Sequence, residues 1–300
     1  MTNIRSFLFI PGDSEKKLAK LDDCDADAVI MDLEDAVAPA RKALAREMVA
    51  AILAGQPNDR RTRLWVRINP LDSGMALGDL AAVGPYRPDG ILLPKAAGPA
   101  ETLRLSHYLD MIEQQFAIAP GTIKVMPVAT ETPAAVFSLG GYAEAKLERL
   151  LGLTWGAEDL SASIGASGNV DATGRWTQTY QLARSLCLLA AHAVDVQAVE
   201  TLYVDFRDDA GLRASCATAR AEGFTGRIAI HPAQVQAINE CFSPTQAEID
   251  HAHRVLAAFD AEPDAGTVSL DGRMLDIPHL KQARRVIAQA ASHPRSQGEP

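Results

Sequence analysis

The chain of 300 residues contains four cysteines (Cys24, Cys187, Cys216 and Cys241), scattered with no C-x-x-C pair and no metal-ligand spacing. That excludes a disulfide framework or a zinc knuckle, and the four thiols are expected to be buried apolar groups in a reducing compartment. Nowhere do about 18 apolar residues follow one another, so no membrane-spanning helix is expected. The residues after Met1 run into a strand-like segment with no apolar stretch of signal-peptide length, and the expected location is the cytoplasm. An excess of positive charge is missing too. With 29 Lys and Arg against 38 Asp and Glu, the net charge is −9, which repels phosphate backbones and acidic lipid and argues against nucleic acid or membrane as a partner. No Ser–His–Asp order, G-x-S-x-G elbow, G-x-G-x-x-G fingerprint or Walker motif stands in its required context.

What is present is a repeating alternation. Short β-branched or aliphatic runs fall at 6–10, 28–31, 64–68, 90–93, 123–128, 150–153, 198–199 and 227–230. Several are nearly continuous apolar segments, as parallel strands covered on both faces require. Between them, segments such as 40–53, 100–115 and 179–193 carry apolar residues at helical spacing. Eight such repeats without a low-complexity linker predict an α/β fold, a (β/α)8 TIM barrel over 1–242, in preference to a doubly wound open sheet. Residues 243–300 form a C-terminal helical extension. Ser243 reads as its N-cap, with Pro244 at the first helical position and Gln246 at the capping-box position. Ile249, Ala252, Val255, Leu256 and Phe259 form an apolar face. A turn-rich stretch over 261–272, a last helix near 279–291 and a frayed end from Ser292 to Pro300 complete the chain.

Active sites of such barrels sit at the C-terminal ends of the strands. The residues just past the predicted strands are Asp13, then Asp32, Glu34 and Asp35, Arg67, Lys95, Glu131, Glu158 and Asp159, Asp205 and His231. So many charges at one rim are costly unless they are paired or bound to a ligand, and mixed carboxylates with one Arg and one Lys suit a cation plus an anionic substrate. Glu131 and Asp159, on adjacent strands, could share one Mg²⁺, which takes few protein carboxylates together with water and substrate oxygens; the plain alternative is that both cap helices or pair with Arg. The Gly156-Ala157 turn at a helix start offers backbone N–H groups to a substrate carboxylate. Arg67 offers a fork to a carboxylate or thioester oxygen, or else a buried pair with Asp32 or Glu34. Lys95 reads equally as a Schiff-base nucleophile, an anion contact or an ion pair. Asp32, Glu34 and Asp35 would orient these groups. His231, Trp65 and Trp155 read as structural, and Asp13 and Asp205 receive no role.

In register along the chain stand FLFIPG (7–12), DLEDAV (32–37), VRIN (66–69), LPK (93–95), ETP (131–133), WGAEDL (155–160) and IHP (230–232). Together they resemble the citrate lyase beta-subunit-like acyl-CoA lyases of the HpcH/HpaI aldolase superfamily, over nearly the whole chain. The resemblance implies a Mg²⁺-dependent carbon–carbon lyase that cleaves a 3-hydroxyacyl-CoA thioester of the citryl-, malyl- or citramalyl-CoA type to acetyl-CoA and a 2-oxo acid. It assigns Glu131 and Asp159 as metal ligands and Arg67 as the active-site arginine; Lys95, Gly156, Ala157 and Glu158 are expected to contact the substrate. It also implies a homotrimer or hexamer whose tail reaches a neighbouring barrel, where Asp276 of GRMLDIP (272–278) would act as a catalytic carboxylate. The rivals are a metal-dependent aldolase on free hydroxy or oxo acids, a citrate lyase beta subunit acting on an acyl-carrier-protein thioester, and a Schiff-base aldolase on Lys95.

Overall fold

The computed structural model describes residues 3–21, 23–57, 60–263 and 265–292. Its eight parallel strands are β1 (Ser6–Pro11), β2 (Ala28–Asp32), β3 (Arg63–Arg67), β4 (Gly90–Leu93), β5 (Lys124–Pro127), β6 (Gly152–Thr154), β7 (Gln197–Glu200) and β8 (Gly226–Ala229). They run in the order β5-β4-β3-β2-β1-β8-β7-β6. The two end strands meet through parallel bridges Val125–Leu150 and Val128–Thr154, so the sheet closes and the open doubly wound alternative is excluded. Each sequence-predicted strand is present within about two residues of its expected limits.

The barrel interior is a packed core. Phe7, Ile30, Trp65, Leu92, Met126, Val199 and Ile228 fill it, and Phe7 meets Trp65 edge to face at 5.7 Å. Gly90 on β4 is required there, because a Cβ would stand 2.5 Å from the Trp65 ring. A second apolar layer, with Val29, Val66, Ile91, Val125 and Leu153, lies between the strands and the surrounding helices. Strands buried on both faces therefore carry the continuous apolar runs. Cys187 and Cys216 are buried as expected, whereas Cys24 and Cys241 are only half-buried.

The extension departs from its sequence reading in two ways. Its first helix is Gln246–Ala261, with Thr245 rather than Ser243 at the N-cap. Thr245 Oγ1 accepts the Glu248 amide at 3.2 Å, and the Glu248 carboxylate accepts the Thr245 amide at 2.6 Å. Ser243 is engaged elsewhere, donating to the Asn239 carbonyl and accepting from Arg5. Thr-x-x-Glu prevails because a charged partner makes the stronger return bond. Second, the turn-rich stretch holds an antiparallel hairpin of β9 (Thr267–Leu270) and β10 (Arg273–Asp276). Asp271 and Gly272 both have positive φ at its tip, the conformation of a two-residue hairpin turn. The last helix spans Ile277–Ser292; the expected frayed end beyond Ser292 lies outside the described residues. Val255, Phe259, Val268, Leu275 and Ala283 give the extension an apolar cluster of its own. Among the described residues no helix is long and apolar enough to cross a membrane.

Candidate active site

Parallel register lifts the charged residues to one end of the barrel. Asp32 closes β2 opposite Arg67, the last residue of β3. Asp32 is fully buried and accepts Arg67 Nε at 2.7 Å and Nη2 at 2.6 Å, while Glu34 Oε2 stands 3.0 Å from Nη1. The same Asp32 carboxylate accepts the amides of Glu34 and Ala36, so one side chain shapes the β2 loop and aims the guanidinium. Phe9 lies under that guanidinium at 4.6 Å. Burial pulls the Arg67 pKa down, but the Asp32 bond and the charges of Asp32, Glu34 and Asp35 more than reverse this. Arg67 is therefore a fixed cation. Its carboxylate-gripping edge, expected to be open to substrate, is filled by Asp32, and an incoming anion would meet the remaining Nη hydrogens.

Lys95 follows β4 in the left-handed backbone region, φ 51°, a conformation that costs a non-glycine residue about 1–3 kcal/mol. The strained backbone lets one residue serve two sides of the rim. Its N–H donates to the Glu131 carboxylate. Its Nζ donates to Glu34 and, at 3.1 Å, to Asp35, and lies 3.4 Å from Asp159. Burial lowers the ammonium pKa, but the bond and charge of Glu34 outweigh it and hold the group charged. A charged, carboxylate-bound amine is a poor Schiff-base nucleophile.

Glu131 extends past β5 and is 4 % exposed. Burial first, and then the charge of Asp159, push its carboxyl up to about 8. Asp159 lies in the first turn of the helix Ala157–Ile164 with its side chain one-third exposed. A buried carboxylate beside a second one strains toward protonation unless a cation joins them. This donor pair fits a hard divalent cation that keeps water and substrate oxygens in its remaining positions; among the described residues no third His, Cys, Asp or Glu completes a closed cage. Gly156 makes room for the pair, because a Cβ there would come within 2.8 Å of Glu131 Cγ. The Gly156 amide, expected to face substrate, instead donates to Thr130 Oγ1 at 3.1 Å.

Other expected residues divide cleanly. Glu158 accepts from Asn169 at 2.8 Å. Asp13 pairs with Arg41, Asp205 accepts the Arg207 amide, and His231 caps the turn after β8 and stacks on Phe206; all three act in local structure. Trp65 and Trp155 are buried in packing. Asp276 ends β10, where it pairs with His279 at 2.6 Å, and among the described residues no hydrogen bond or ion pair joins it to the rim cluster. Sequence reasoning missed Thr130, the backbone role of Lys95, and Lys42, whose Nζ holds the Leu33 and Glu34 carbonyls and Asn69.

The HpcH/HpaI aldolase/citrate lyase family model matches residues 5–232. The chain is a member of this family. A (3S)-malyl-CoA thioesterase of Cereibacter sphaeroides is 36% identical over 288 residues, covering 95% of this chain and 94% of that protein. The mitochondrial citramalyl-CoA lyase of Rattus norvegicus is 34% identical over 304 residues, covering 96% and 86%. Among solved structures of the family, CitE of Mycobacterium tuberculosis in complex with magnesium, acetoacetate and coenzyme A superposes with a TM-score of 0.76 at 29% identity, covering 97% of this chain and 98% of that one.

Proposed function

We propose that the chain is a Mg²⁺-dependent carbon–carbon lyase that cleaves a 3-hydroxyacyl-CoA thioester of the citramalyl-, malyl- or citryl-CoA type to acetyl-CoA and a 2-oxo acid. One observation carries this reading: a buried Glu131 stands beside Asp159 at the rim of a family barrel, and Lys95 and Glu34 link Asp159 to a permanently charged Arg67. The named relatives act on malyl-CoA and citramalyl-CoA, and the magnesium and coenzyme A bound by CitE support the same substrate class.

In this account Glu131 and Asp159 hold Mg²⁺, which when bound polarises the substrate hydroxyl and the adjacent carboxylate oxygens. The hydroxyl proton passes to solvent, the oxygen's electron pair forms the new carbonyl of the 2-oxo acid, and the pair of the breaking carbon–carbon bond becomes the thioester enolate. Arg67, locked by Asp32, presents Nη hydrogens to that negative charge and needs no reorganisation to do so. The Ala157 and Glu158 amides of the helix start, with Lys95 beside them, face the substrate carboxylate. Asp276 is assigned the proton transfer at the enolate carbon. Because it sits on the extension, we assign it to the site of a neighbouring copy in a homotrimer or hexamer. A cytoplasmic location belongs to the same proposal.

Glu131→Ala and Asp159→Ala are each expected to abolish Mg²⁺-dependent release of 2-oxo acid while leaving the circular-dichroism spectrum of a folded protein. Retained activity in either variant would sink the metal assignment.

A further inference from the structure

The barrel closes at its weakest join, and the two proposed metal ligands hang on either side of it. The β5–β6 seam has only isolated bridges, with backbone bonds from Val125 to Arg149, from Leu151 to Val125 and from Ala129 to Thr154. All of these lie below the rim. Above them, among the described residues, one side-chain bond continues the seam: Thr130 Oγ1 accepts the Gly156 N–H at 3.1 Å. Thr130 is fully buried and directly precedes Glu131. Gly156 is the N-cap of the helix whose first turn bears Asp159, and it packs close enough to Glu131 that a Cβ would not fit.

We infer that Thr130 is a positioning residue that sets the separation of Glu131 and Asp159, and through it the affinity of the site for a divalent cation. The inference rests on the metal reading above. Its physical basis is that both ligands follow short backbone segments from one bond. Without the acceptor, the partly buried Gly156 amide loses its partner, a state that drives local rearrangement. The rearrangement falls on the turn carrying Asp159, since Ala129–Thr154 still holds the strands below. A Val at 130 keeps the shape and removes the acceptor; a Ser keeps the acceptor and removes a methyl.

The test uses the full chain and Mn²⁺ as probe, with affinity read from the electron paramagnetic resonance signal of free Mn²⁺, which needs no substrate or turnover. Wild type binds Mn²⁺, and E131Q loses it. T130V is expected to bind about 10- to 100-fold more weakly, the loss typical when a group orienting a metal ligand is removed, and T130S is expected to bind as wild type. Each affinity is taken on protein whose circular dichroism matches wild type, and T130A replaces T130V if the latter does not fold. Wild-type affinity in folded T130V or T130A, or a T130S as weak as they are, overturns the inference. Mn²⁺ binding unchanged in E131Q overturns the metal reading instead, so the two failures are distinguishable.

Discussion

Gly156→Ala isolates the contact between the β6 turn and Glu131. Gly156 has φ −119° and ψ 117°, a backbone any residue adopts, so the substitution adds no conformational strain. It adds one methyl, placed 2.8 Å from Glu131 Cγ and 3.2 Å from Val128 Cγ1. Carbon atoms settle about 3.5–4.0 Å apart, so the Glu131 side chain must yield by roughly 1 Å. It cannot swing freely, being 4 % exposed and held by the Lys95 amide. Overpacking of this kind costs about 1–3 kcal/mol of stability, whereas a misplacement of about 1 Å at a reacting centre costs about 10²-fold in rate. The variant should therefore fold, melt a few degrees lower, need more Mg²⁺ for half-saturation and lose about two orders of magnitude in kcat/KM. Steady-state kinetics across a Mg²⁺ titration, beside a thermal melt, measure both effects. A folded G156A with kcat/KM and Mg²⁺ requirement within about threefold of wild type would refute the claim that the Glu131 position is critical.

Three further outcomes follow from other parts of the molecule. Glu131 in the metal-free chain has its carboxyl raised to about 8, so the folded state binds more protons than the unfolded state between the ordinary carboxylate range and about 8. Metal-free stability should fall as pH rises through that window, and Mg²⁺ should remove part of the slope by displacing the proton; denaturant melts at several pH values, with and without Mg²⁺, read this directly. Arg149, 4 % exposed, bonds the buried Glu113 at 2.6 Å, so Arg149→Met should cost about 3–5 kcal/mol by taking the cation from a buried carboxylate that keeps its Gly121 and Ile123 amides. Urea denaturation would show the loss, with kcat unchanged in the folded fraction. Finally, Asp276→Ala and Glu131→Ala should each be inactive alone, yet recover about a quarter of wild-type activity when subunits exchange in a closed ring, because one neighbour pairing in four combines both intact residues. No recovery after verified exchange would place Asp276 outside the neighbour's site.

The strands were legible because their apolar runs answer to burial on both faces, and β2, β4 and β5 stand within about two residues of their expected limits. The hairpin was readable but unread: Asp271-Gly272 between Val268 and Leu275 carries the two-residue turn signal, hidden among other turn formers. The rim charges were legible as a group, since each follows a strand. Their partners were not. Whether Arg67 faces substrate or Asp32 depends on a cross-strand register that joins residues 35 apart. The Thr130–Gly156 bond spans 26 positions, and the amide of Lys95 reaches Glu131 only through a left-handed backbone that no local residue pattern demands. Periodicity reports which face is buried; it does not report which donor a buried acceptor finds.

Every catalytic role assigned above depends on metal-dependent cleavage of an acyl-CoA carbon–carbon bond. Its most direct test is to follow 2-oxo acid release from citramalyl-, malyl- and citryl-CoA by the purified full-length chain, first stripped with EDTA and then resupplied with Mg²⁺. The stripped protein is expected to release nothing, and 2-oxo acid together with acetyl-CoA should appear from at least one thioester once Mg²⁺ returns. Release that persists in EDTA, or Mg²⁺-restored cleavage of the free hydroxy acids but of none of the thioesters, would contradict it.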